Sequence, residues 1–121
     1  MQNAAQAYGK VAKDTANPRE LEATLLLRAA ARLQSIRDSW DGKAGELDEA
    51  LVYNRKLWSI FLTSVTREDN PLPRDVRQNI ANLGMFVMNQ TVSLTSERKP
   101  ERLGSLISIN RELAAGLLTR A

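Results

Sequence analysis

Apolar side chains recur along this chain at intervals of three and four residues, the period of an amphipathic helix, and nowhere hold a strand's alternation for more than a few residues. Leu21, Leu25, Ala29, Leu33, Ile36 and Trp40 make one such series. Ahead of it, Asn17-Pro18-Arg19-Glu20 supplies a start: a capping asparagine, a proline at the first helical position and a glutamate three residues after the cap. The pattern predicts a helix over 18–39, followed by a loop at Gly42 and Gly45. A helix over 46–67 is predicted next, with Leu47, Leu51, Asn54, Trp58, Phe61 and Val65 on one stripe. Leu57, Ile60 and Leu62 widen that stripe, which places the helix at the centre of the fold. Glu46, Asp48 and Glu49 suit the positive end of its dipole, and Asp69-Asn70-Pro71-Leu72-Pro73 stops it.

The next helix is predicted over 73–95, with Val76, Ile80, Leu83, Val87, Thr91 and Leu94 as its seam. A polar link of residues 96–99 leads to Pro100 and a last helix over 100–118, carrying Leu103, Leu106, Ile107, Asn110, Leu113, Ala114 and Leu117. An Ala-rich segment, Asn3 to Lys13, reads as a short N-terminal helix that Gly9 weakens by about 1 kcal/mol. The expected fold class is therefore all-α: a single domain over 1–121, an up-and-down bundle of four main helices plus the short N-terminal one.

Composition narrows the chemistry. The 121 residues include no cysteine and no histidine, which removes disulfides, thiolate metal sites, the commonest general base and the commonest metal ligand. No Gly-rich phosphate loop is present, and the expectation is a protein that is not an enzyme and carries no cofactor and no metal. The start, Met1-Gln2-Asn3-Ala4-Ala5-Gln6, has neither the basic nor the apolar region of a signal peptide, so a cytoplasmic location is expected. The net charge of +3 is spread along the chain without a run of five like charges. Basic residues do not interleave with aromatics either, which argues against direct nucleic-acid binding.

Two Asn-Arg pairs interrupt the apolar stripes. Asn54 and Asn110 point into the bundle by helical phase, either bonding a neighbouring helix and fixing register or lining a groove for a partner. Arg55 and Arg111, one position on, face partly outward as candidate carboxylate contacts. The helix over 73–95 carries a sharper signal: from Gln78 to Ser96 there is no charged residue, yet its amides make it too polar for a membrane span. Opposite the seam, Asn79, Asn82, Asn89, Gln90 and Ser93 surround Phe86, and Met85, Met88 and Val92 form a flanking apolar strip. Such a surface either lies under other helices or serves as an adaptable docking face, with Asn82, Met85, Phe86 and Asn89 as the contact residues. Arg28 and Arg32, one turn apart, suit pairing with acids more than gripping a free anion.

Four segments in order carry a family likeness: Asn17-Pro18-Arg19-Glu20-Leu21-Glu22-Ala23, the run from Ala50 to Phe61 with its Asn54-Arg55, the run from Leu72 to Val87, and the run from Leu106 to Leu117 with its Asn110-Arg111. Together they resemble the flagellar biosynthesis regulator family FlaF, over nearly the whole chain from about Tyr8-Gly9 to its end. The resemblance implies a small cytoplasmic protein that binds flagellin as an export chaperone and also promotes flagellin synthesis, with a second flagellin regulator as a further partner. The alternative it leaves open is a post-transcriptional regulator acting through RNA or a partner regulator. A helical module with an unrelated partner is the remaining alternative.

Overall fold

The computed structural model describes residues 18–119, which are helical apart from the turn at Ser39 and the connections at 66–73 and 97–99, with no strand among them. The helices are α1 (Pro18–Asp38), a single turn α2 (Trp40–Lys43), α3 (Leu47–Val65), α4 (Arg74–Ser96) and α5 (Gly104–Thr119). Short 3-10 turns, Ala44–Glu46 and Pro100–Leu103, lead into α3 and α5. The four long helices predicted from periodicity are all present, which makes the domain all-α. Asn17, the expected cap of α1, and the Asn3–Lys13 segment lie outside the described residues.

The ends differ from expectation where side chains compete for backbone groups. α3 stops at Val65 and not at 67. There the Asn70 amide donates to the Ser64 carbonyl (3.1 Å) and the Thr66 hydroxyl to the Thr63 carbonyl (2.8 Å). The same Asn70 accepts from the Leu72 N–H (3.0 Å), an Asx turn that sets the chain up for Pro73. The last helix opens with a tighter turn over Pro100–Leu103, a frequent geometry at helix starts, which sinks Leu103 into the core.

Side chains tie consecutive helices together in antiparallel order. Arg98, just past α4, reaches Asp48 and the Ala44 carbonyl at the start of α3. At the other end, Arg77 in the first turn of α4 donates to the Arg67 carbonyl beyond α3 (2.9 Å). Arg37 near the end of α1 lies beside Gly104 at the start of α5. Starts of α1 and α4 and ends of α3 and α5 therefore share one end of the bundle.

Packing is uneven. α1 lies most extensively on α5, α3 on α4, and α1 on α3, whereas α4 and α5 touch little. The core is continuous through Leu25, Leu26, Leu33, Leu51, Leu57 and Leu106, with Trp58 fully enclosed and edge-on to Phe61 at 5.9 Å between ring centroids. Gly84 lets α4 approach α3 closely, because a β-carbon there would fall on the Leu62 side chain. One seam residue departs from expectation: Leu83 is 36% exposed, since the scant α4–α5 contact leaves nothing to cover it.

Candidate functional site

The polar groups inside the bundle are arranged in a chain. Asn110 of α5 accepts from the Trp58 indole N–H (2.9 Å) and donates its amide to the Asn54 carbonyl oxygen (2.7 Å). All three side chains are buried. Asn54 and Asn110 thus bond across helices α3 and α5, as the register-fixing alternative requires, and neither lines a groove open to solvent. One amide group, Asn54 Nδ2, is buried without a partner.

The outer face of α4 has a different character. Ile80, Gly84, Val87, Thr91 and Leu94 turn inward, and the Thr91 hydroxyl satisfies itself on the Val87 carbonyl (2.7 Å). Asn82, Met85, Phe86 and Asn89 lie opposite and exposed; Met85 is 61% and Phe86 46% accessible, and Val92 continues the strip at 66%. Gln78 donates to Asn82 (3.1 Å), holding one amide in place on this face. Met88, grouped by helical phase with Met85 and Val92, instead packs half-buried against the core. Single exposed hydrophobics are ordinary, but a row of them on one uncharged helix face is not.

The arginines sit elsewhere. Arg55 and Arg111 are exposed on α3 and α5, and among the described residues neither side chain makes an ion pair or hydrogen bond. Arg32 pairs with Glu49 of α3 at 3.3 Å, an interhelical contact of the expected kind.

The structure has concavities that periodicity does not announce, among them one of about 260 Å³ beside Val65, Arg74 and Arg77. Another, about 540 Å³, lies beside Ile60 and Thr63 of α3 and Pro71 of the following loop. A third, about 200 Å³ and more apolar than the second, runs between the first half of α4 and the second half of α5, walled by Val76, Ile80, Leu83, Ile109, Leu113 and Leu117. Its signal was present in the chain as Gly116, over which an added β-carbon would meet nothing within 4 Å. Among the described residues no acidic group of three or more is placed to hold a metal ion, and no helix is long and apolar enough to cross a membrane.

No curated protein and no solved structure matches the chain. A family model does, that of the flagellar protein FlaF, over residues 4–117. That span takes in all of the helical bundle but the last two residues of α5, with both Asn-Arg pairs and the exposed α4 face, and the chain belongs to the FlaF family of flagellar proteins.

Proposed function

We propose that this protein is a cytoplasmic flagellin-binding export chaperone that also promotes flagellin synthesis, and that the client docks on α4 through Asn82, Met85, Phe86 and Asn89. The observation that carries this is the exposed, uncharged row of Met85, Phe86 and Val92 on a helix whose opposite side is firmly packed. An amphipathic client helix laid on that face buries an aromatic ring and a thioether. Each apolar side chain so covered contributes about 1.5–3 kcal/mol. The amides bond the client's polar groups, and methionine adapts to more than one sequence. Arg55 on α3 and Arg111 on α5 are further carboxylate contacts, exposed and available to the client or to a second flagellin regulator.

The test is to charge the face. Met85→Glu and Asn89→Lys should keep wild-type helicity and melting behaviour, since exposed substitutions shift stability by less than about 0.5 kcal/mol. Affinity for monomeric flagellin, measured by titration, should fall at least about tenfold, or about 1.4 kcal/mol. Full binding by the folded variants would move the client site off α4. Purified protein that captures flagellin transcript leader and not flagellin would favour the RNA-directed regulator.

A further inference from the structure

The α4–α5 groove lies at the end of the bundle where α1 begins, and the chain before α1 carries the pattern needed to fill it. Placed on a helix at 100° per residue, Ala4, Tyr8, Val11 and Ala12 fall within one arc of about 100°, the i, i+4, i+7, i+8 stripe of an amphipathic helix. Gln2, Gln6, Gly9, Lys10 and Lys13 fall on the other side. An apolar stripe of this kind needs an apolar surface to cover it, and this groove is walled by Val76, Ile80, Leu83, Ile109, Leu113 and Leu117.

We infer that the groove is the docking site of this chain's own N-terminal segment, residues 4–13, laid as a helix between α4 and α5 with Tyr8 and Val11 inward. Reach allows it: from Ala12 to Pro18 the chain extends up to about 20 Å. α1 packs on α5, so the groove on the far side of α5 is one to two helix spacings away, about 10–20 Å. Charge agrees as well, since Glu112 lines the groove and Asp75 stands one turn before the groove-lining Asn79, facing a segment that carries Lys10 and Lys13. Gly116 leaves open space on the α5 wall for a tyrosine ring. The family match reaches back to residue 4, so the segment belongs to the family's own pattern and is not an appendage. This arm would supply the α4–α5 packing that the four long helices leave out, while Met85 and Asn89 on the outer face stay uncovered.

The cysteine-free chain permits a clean test. Gln6→Cys, on the polar side of the segment, is tagged with a nitroxide in the full-length protein, and methyl NMR signals are compared before and after reduction of the label. Leu83, Ile109 and Leu113 should lose most of their intensity while Ile60, beside a different concavity at that end, and Leu103, at the far end, keep theirs. The pattern should be independent of concentration and absent from a mixture of spin-labelled and isotope-labelled chains. Gly116→Leu, which fills the open wall, should abolish the selective loss with helicity retained. Loss centred on Ile60, or loss spread evenly over the protein, would overturn the inference and leave the groove to a partner's helix. Loss in the mixed sample would overturn it too, giving the groove to a second copy, as would survival of the selective loss in folded Gly116→Leu.

Discussion

Trp58 is enclosed without penalty to its indole N–H because Asn110 accepts that proton, and Asn110 in turn is held by Asn54. The two asparagines are not equivalent. Removing Asn110 orphans both the Trp58 donor and the Asn54 acceptor, so Asn110→Ala should cost about 2–4 kcal/mol; Asn54→Ala strands only the Asn110 amide and should cost about 1–2 kcal/mol. Urea denaturation ranks them, and an equal or larger loss for Asn54→Ala would contradict the bonding order. Glu22 offers a second residue-scale test. Burial holds its carboxyl above the ordinary value of 4.5, with the nearby Arg19 charge partly offsetting the effect. The folded state therefore binds this proton more tightly than the unfolded chain, and the group's contribution to stability falls as pH rises from 4.5 through the raised value. Glu22→Gln, which cannot ionise, should be the more stable form at neutral pH, with the advantage vanishing below about 4.5 in a series of thermal melts.

At the scale of elements, periodicity located the four long helices because each buries one stripe, and helical phase put Asn82, Met85, Phe86 and Asn89 on one side of α4 for the same reason. Periodicity did not say where α3 ends. That depends on Asn70 reaching back six residues to Ser64, a contact available only after the loop has closed. Nor did it distinguish Met88 from Met85, since one side of a helix is covered or bare according to which neighbour lies there. The α3–α4 pair is the most sensitive joint to test. Gly84 is buried beneath Leu62, so Gly84→Leu forces the two helices apart and should cost about 1–3 kcal/mol despite leucine's better helix propensity. An unchanged denaturation midpoint would mean that Leu62 swings aside freely.

For the molecule as a whole, one core runs through α1, α3, α4 and α5, and no second cluster stands apart from it among the described residues. Unfolding should accordingly be all-or-none: far-ultraviolet circular dichroism and tryptophan fluorescence, the latter reporting Trp58 in the core and Trp40 at the start of α2, should trace one superimposable urea transition. Separate transitions would show that the helices do not unfold as one cooperative unit. The sequence by itself determined the helical class, the number of long helices, the family, and which side of α4 is free of charge. These follow from local periodicity, from proline and glycine breaks, and from residue order, all of which are properties of the chain in one dimension. The tertiary structure alone decided that Asn54 and Asn110 bond each other and Trp58, that Leu83 is left exposed, and that α4 and α5 part to leave a groove. Those outcomes depend on which helices become neighbours and how closely they approach, and contacts between residues more than fifty positions apart are not encoded in the period of any one helix.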